Sequence, residues 1–113
     1  MNGDCVFCRI LDGELPAHFV YKDEKVAVIR DINPQAPTHL LVIPREHISS
    51  ADQVEDPSLW SVLMGTATKV ARDLGLVEDG YRVVVNCGDR AGQTVHHLHV
   101  HLLSGRFFQW PPG

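Results

Sequence analysis

The sequence of 113 residues has no excess of basic residues, no long apolar run and only three cysteines. Its formal net charge of −4 argues against a basic surface that binds extended nucleic acid. A few backbone amides and imidazoles nevertheless suffice to hold the phosphate of a mononucleotide. No apolar run approaches the roughly 18–20 residues that cross a bilayer, and no charged and then apolar leader begins the chain. We therefore expect a cytoplasmic protein with neither a nucleic-acid nor a membrane partner.

The low cysteine content argues against a disulfide framework, because a framework of several bridges is typical of secreted chains. Cys5 and Cys8 form a Cys-x-x-Cys pair, whereas Cys87 stands alone and is expected to be a small buried residue. Such a pair binds zinc when two further ligands complete a tetrahedral site. The βαβ context of thioredoxin-like redox pairs is missing. We expect a structural zinc site, with free thiols and a redox dithiol as the alternatives.

Composition and length indicate an ordinary globular chain. Hydrophobic residues make up 44% and charged residues 21% of the sequence, and no internal repeat or low-complexity segment is visible. Since most domains contain about 100–150 residues, we expect residues 1–113 to form one domain.

The hydrophobic pattern predicts two helices and five strands. A short helix is expected between Asp4, as the N-cap, and Gly13, and a longer one from Asp56-Pro57 to Gly75. Strands are expected over residues 18–21, 26–29, 39–43, 81–86 and 97–103, with a proline-containing loop over 31–37. Runs of strands around one long helix predict an α+β fold with an antiparallel sheet.

Three histidines alternate with apolar residues in the last predicted strand. Because the side chains of a strand alternate between its faces, His97, His99 and His101 should share one face, about 6–7 Å apart, opposite an apolar face. A solvent-facing strand that happens to contain histidine is the plain alternative. Imidazole is close to its neutral form at cytosolic pH, so it can act as a nucleophile, a proton carrier or a metal ligand. Three in register favour a metal or phosphate site.

A glycine-rich turn precedes these histidines. Gly88 and Gly92 flank it, and an amide and a hydroxyl follow at Gln93 and Thr94. Such a turn can hold phosphate, but glycines more often serve only the turn itself. Its position beside the three histidines favours the phosphate interpretation.

The segment His97-Leu-His99-Val-His101-Leu-Leu resembles the signature of the histidine triad (HIT) superfamily, and its Hint branch of nucleotide-binding proteins fits best. Supporting segments lie over 31–39, 41–44, 84–86, 91–94 and 110–113, so the resemblance covers nearly the whole chain. It implies a HIT-like α+β fold, with an antiparallel sheet of about five strands, one long and one short helix. It also implies a homodimer, in which the tail with Trp110 reaches toward the partner's site.

This resemblance implies a purine nucleoside phosphoramidase or related nucleotide hydrolase. His99 would attack the α-phosphorus, and water would then release a nucleoside 5′-monophosphate from the nucleotidyl-histidine intermediate. No cofactor would be needed for catalysis. The alternatives are a dinucleoside polyphosphate hydrolase, against which the Trp-Pro-Pro-Gly terminus argues, a nucleotidyl transferase, and a zinc-stabilised nucleotide-binding scaffold.

Roles for other residues also follow from the resemblance. His97 and His101 would flank the phosphate or hold the attacking ring, His39 would act as a further relay, and Asp31 would accept the ribose hydroxyls. Each apolar residue is otherwise ordinary core. The remaining nucleotide-binding residues implied are Phe7, Ile10, Ile32, Asn33, Asn86, Gly92, Gln93 and Thr94, together with His99 and His101.

Cysteine-containing relatives in the superfamily suggest the ligands of the zinc site. Cys5 and Cys8 would bind zinc together with His47 and His97. This assignment would remove His97 from proton transfer, and it would tie the short amino-terminal helix to the histidine segment.

Overall fold

The computed structural model describes residues 3–113 and contains a five-stranded antiparallel sheet with two α-helices, as predicted. Residues 1 and 2 of the expected domain lie outside the described part. The strands occur in the spatial order β1-β2-β3-β5-β4. No helix in residues 3–113 is both long enough and apolar enough to cross a membrane. The elements are α1 (Val6–Leu11), β1 (Phe19–Lys22), β2 (Val26–Arg30), β3 (Thr38–Pro44), α2 (Ser58–Asp73), β4 (Tyr81–Val84) and β5 (Val100–Ser104).

The two faces of the sheet pack against different helices. Helix α2 covers one face and buries Leu63, Ala67 and Val70 against alternate residues of β2, β3 and β5. Helix α1 covers part of the other face, where Phe7 and Ile10 join a smaller apolar cluster. Because β3 and β5 alternate in the same way, the second face also carries His39 and His101.

The long helix α2 has the ends that its sequence predicts. The carboxylate of Asp56 accepts a hydrogen bond from the backbone N–H of Ser58 at 2.9 Å, and Pro57 precedes the first turn. The chain leaves the helix through Gly75, which has a φ of +73°, a conformation that glycine adopts without steric penalty.

The predicted last strand is wrong at its amino-terminal end. Strand β5 begins at Val100, so His97 and His99 precede it. The backbone N–H of Leu98 donates to the carbonyl of Ile48 at 2.6 Å, and the His97 ring bonds to the Pro44 carbonyl. These residues are therefore hydrogen-bonded to the last residue of β3 and to the segment that follows it, instead of extending the ladder.

Three other local expectations are corrected. The N-cap of α1 is Cys5 and not Asp4, because the Cys5 Sγ accepts from the backbone N–H of Cys8. Strand β4 ends at Val84, before Asn86. Cys87 is exposed instead of buried, since it lies in the turn after β4, where its thiol donates to Asp52 at 3.3 Å.

Candidate active site and metal centre

The imidazole of His99 presents a nitrogen lone pair to solvent. Its Nδ1 lies 2.7 Å from the backbone carbonyl of His97, and because a carbonyl only accepts, the ring proton is on Nδ1 and the lone pair on Nε2. The side chain is buried, yet Nε2 makes no hydrogen bond within residues 3–113. Every fully buried side-chain nitrogen and oxygen in that range has a partner, so Nε2 reaches solvent.

His39 and His101 form a directed hydrogen-bonded pair beside His99. The backbone N–H of Gln35 donates to Nδ1 of His39 at 3.0 Å, which places the His39 proton on Nε2. That nitrogen lies 2.9 Å from Nδ1 of His101, so His39 donates and His101 accepts. A neutral His101 therefore carries its own proton on Nε2, and its ring centroid lies 4.9 Å from that of His99.

Burial keeps these three imidazoles neutral at pH 7. It lowers the pKa of His99 and that of His39 below the ordinary value. It also lowers the pKa of His101 to about 4, with further contributions from neighbouring His99 and His39. The geometry thus combines a neutral, unprotonated nitrogen on His99 with a neighbouring N–H donor on His101.

Asp31 and the loop that follows it form the edge of this histidine group. One Asp31 carboxylate oxygen accepts from the backbone N–H of Asn33 at 2.8 Å, and the other lies 3.4 Å from Nε2 of His39. The backbone N–H of Asp31 donates to the His39 carbonyl, which closes the loop. Ile32 is 99% exposed, so its side chain projects into solvent.

Helix α1 supplies an apolar wall next to His99. The Phe7 ring meets the His99 ring edge-on, with centroids 5.1 Å apart. Phe7 and Ile10 are both buried, together with Ile29, Leu41 and Ile43. Of the predicted site residues, the structure thus brings Phe7, Asp31, His39 and His101 close to His99.

The predicted phosphate-holding turn is built around Gln93. Its amide nitrogen donates to the carbonyls of Ser49 and Val95 at 2.7 and 3.1 Å, and its amide oxygen accepts from the backbone N–H of Gly88. The Gln93 side chain therefore holds the turn together. Gly92 has a φ of +96°, and a Cβ on it would lie 3.8 Å from the Asn86 amide nitrogen. Thr94 is exposed.

A second cluster, next to the site of His99, contains two cysteines and two histidines. One ligand atom each from Cys5, Cys8, His47 and His97 lies within 4.8 Å of the others. Nδ1 of His97 is 3.3 Å from the Cys5 sulfur and 3.2 Å from Nδ1 of His47. Burial and the neighbouring Cys5 raise the pKa of the Cys8 thiol to about 11.

This donor set suits a tetrahedral zinc ion. Nε2 of His97 lies 2.8 Å from the Pro44 carbonyl, so that nitrogen carries the proton and Nδ1 offers its lone pair to the cluster. Two thiolates and two imidazoles are a common structural zinc set. One ring nitrogen of His97 thus contacts the Pro44 carbonyl and the other faces the cluster. The backbone carbonyl of His97 accepts the hydrogen bond from His99.

Sequence reasoning missed the backbone groups that set these ring orientations. The Pro44 carbonyl holds the ring of His97, and the His97 carbonyl holds the ring of His99. The backbone N–H of Gln35 holds the ring of His39. Every residue but proline carries such an N–H and every residue such a carbonyl, so no side-chain pattern could reveal them.

Comparison with known proteins gives a consistent result. The family model described as HIT domain matches residues 12–108. A 14 kDa zinc-binding protein of Zea mays is 47% identical over 112 residues, covering 96% of this chain and 87% of the relative. A solved HIT family hydrolase from Legionella pneumophila Philadelphia 1 has a TM-score of 0.94 and 47% identity, covering 97% of this chain and 100% of its own. A histidine triad nucleotide-binding protein from Candida albicans has a TM-score of 0.84 and 30% identity, covering 97% and 85%.

Proposed function

Because the chain belongs to the HIT domain family, we propose that it is a Hint-like purine nucleoside phosphoramidase, a hydrolase acting at the α-phosphate. The observation that carries the proposal is the ring orientation of His99, whose Nδ1–H donates to the His97 carbonyl at 2.7 Å. This contact leaves an unprotonated Nε2 accessible to a phosphorus atom. The Legionella relative is described as a hydrolase and the Candida relative as nucleotide-binding.

The reaction proceeds in two displacements. The Nε2 lone pair of His99 forms a bond to the α-phosphorus, and the phosphorus–nitrogen bond to the leaving amine breaks, with the electron pair going to the amine, which takes up a proton. Water then attacks the phosphorus, gives up a proton, and the bond to Nε2 breaks. The products are a nucleoside 5′-monophosphate, the free amine and regenerated His99.

His101 and His39 act as a donor pair in this scheme. The neutral His101 offers its Nε2–H to a phosphate oxygen or to the leaving nitrogen, where negative charge develops. The Nε2–H of His39 donates to Nδ1 of His101 at 2.9 Å and so keeps the His101 proton on the opposite nitrogen. His97 takes no part in proton transfer because both of its ring nitrogens are engaged.

The nucleoside is held by Asp31 and by the apolar wall of α1. A carboxylate can accept from both hydroxyls of a ribose, and Asp31 lies at the edge of the histidine group. Phe7 and Ile10 contact the purine from α1, and Ile32 and Asn33 contact the nucleoside from the exposed loop. The remaining residues of the phosphate region are Asn86, Gly92, Gln93 and Thr94. Gln93 acts there by supporting the turn.

Cys5, Cys8, His47 and His97 hold a structural zinc ion in this proposal. Bound there, zinc supplies a cross-link and no chemistry at the phosphorus. The relative from Zea mays is described as zinc-binding, and the four donors of this chain have the matching chemistry.

We further propose that the chain works in the cytoplasm as a homodimer. Strand β4 is at the edge of the sheet, where unpaired backbone groups favour pairing with another chain. In the tail, Phe107 and Trp110 are 91% and 82% exposed. Light scattering checks this assembly, and a monomer at micromolar concentration contradicts it.

The test of the function is AMP formation from adenosine 5′-phosphoramidate at neutral pH, with and without a chelator. We expect turnover by the parent, a loss of at least about 10³-fold in His99→Ala, and little change in the control His18→Ala, which alters an exposed histidine. Turnover of a dinucleoside polyphosphate alone would move the assignment to that substrate class. Absence of both activities in a folded protein would leave a nucleotide-binding scaffold.

A further inference from the structure

The segment that follows β5 is joined to the loop between β2 and β3. The guanidinium Nε of Arg106 donates to the backbone carbonyl of Gln35 at 2.9 Å. Next to it, Gly105 has a φ of +102°, and a Cβ there would lie 2.8 Å from the Pro37 ring. The Pro37 ring therefore leaves no room for a side chain at position 105 unless the ring or the backbone shifts.

Gln35 is also the residue that orients His39. Its backbone N–H donates to Nδ1 of His39 at 3.0 Å, while its carbonyl accepts from Arg106 on the other side. In addition to these contacts, its side-chain amide donates to the Asn33 carbonyl. The backbone of Gln35 is thus held between the guanidinium of Arg106 and the ring of His39.

Arg106 is itself held in place by aromatic and backbone contacts. Its guanidinium lies over the Phe108 ring at 4.3 Å, and one of its terminal nitrogens donates to the Phe107 carbonyl at 3.2 Å. A planar guanidinium can stack and donate from Nε at the same time, which an ammonium group cannot do. Arg82 stacks on Phe108 as well, at 5.3 Å, but its hydrogen bond goes to the Gln109 carbonyl and not to the Gln35 loop.

We propose that Arg106 is a positioning residue for the His39–His101 pair, acting through the backbone of Gln35. With the Gln35 N–H in place, His39 keeps its proton on Nε2, and His101 must then carry its proton on Nε2 as well. Without it, His39 can place the proton on Nδ1, His101 becomes the donor within the pair, and a lone pair replaces the Nε2–H of His101. The consequence for turnover rests on the proposed function, whereas the ring orientation does not.

The test combines nitrogen-15 NMR of the histidine rings with steady-state kinetics, using Arg106→Met and its matched control Arg82→Met. We expect the parent and Arg82→Met to show a single Nε2–H form of both His39 and His101. Arg106→Met should show a mixture of ring forms, with kcat lowered about tenfold and KM nearly unchanged. Arg106→Lys keeps the charge without the planar fork and should behave like Arg106→Met, which guards against a folding defect in one variant.

Four outcomes distinguish the alternatives. Unchanged ring forms in folded Arg106→Met and Arg106→Lys overturn the proposal, and so does an equal change in Arg82→Met, because attachment of the tail would then be the cause. A change confined to the Arg106 variants supports it. If that change occurs in a protein that turns over no phosphoramidate, the positioning role stands and the substrate assignment fails.

Discussion

At the scale of single residues, what each histidine of this site can do depends on which of its ring nitrogens carries a proton. The backbone carbonyl of His97 sets His99, and the backbone N–H of Gln35 sets His39 and, through it, His101. The sequence indicates that His97, His99 and His101 act together, because they alternate with apolar residues. It could not indicate the ring forms of the site histidines, since the groups that set them are backbone atoms, which no side-chain pattern reveals.

The partial burial of His101 makes the stability of the fold sensitive to acid. Its folded pKa is about 4, below the roughly 6.5 of an unfolded histidine, so the unfolded state binds more protons between these values. Its contribution to the free energy of unfolding is therefore complete above pH 6.5 and decreases as the pH falls toward 4. We expect urea unfolding midpoints to fall over this range less steeply in His101→Gln than in the parent. Parallel pH profiles of the two proteins would contradict this.

At the scale of elements, the short helix α1 depends on contacts outside itself. It has six residues, and isolated helices shorter than about 12 residues are marginal in water. Its cap is the sulfur of Cys5, and Cys5 and Cys8 both belong to the cluster of four residues proposed to hold zinc. The wall that Phe7 offers to His99 is therefore expected to depend on that cluster.

Loss of either cysteine of this cluster is expected to release both the proposed zinc ion and α1. Cys5→Ser and Cys8→Ser should lower the zinc content and speed amide exchange in α1 about tenfold or more, since a helix of six residues depends on contacts outside itself. The matched control Cys87→Ser alters an exposed cysteine outside the cluster and should change neither quantity. Mass spectrometry of the native protein and hydrogen exchange measure both effects. Exchange in α1 that is unchanged after complete loss of zinc would mean that apolar packing alone holds the helix.

The sequence predicts the elements better than the segments between them. Helix α2 has its predicted ends because Asp56, Pro57 and Gly75 act locally. The entrance to β5 was mispredicted because the alternation of His97, Leu98 and His99 suits a strand, yet its hydrogen bonds go to residues 44–48. Alternation reports which face a side chain occupies and does not report which backbone it pairs with.

At the scale of the whole molecule, the sheet separates the α2 core from the face that carries the histidine site. Leu63 of α2 is fully buried on one side, and Phe7 of α1 packs against His99 on the other. Strands β3 and β5 contribute to both, because their alternate residues point in opposite directions. Substitutions on the two faces are therefore expected to affect different properties.

This separation can be tested with one substitution on each face. Leu63→Ala should lower the free energy of unfolding by about 2–5 kcal/mol and leave kcat/KM unchanged at temperatures where the protein stays folded. Phe7→Leu keeps most of the apolar volume, so it should cost less than about 1.5 kcal/mol of stability. It should nevertheless raise KM for adenosine 5′-phosphoramidate several-fold, because an aromatic contact is worth about 0.5–1.5 kcal/mol. Denaturant titration and initial rates supply the two measurements. A parallel loss of stability and activity in both variants would mean that the α2 core and the histidine site respond as one unit.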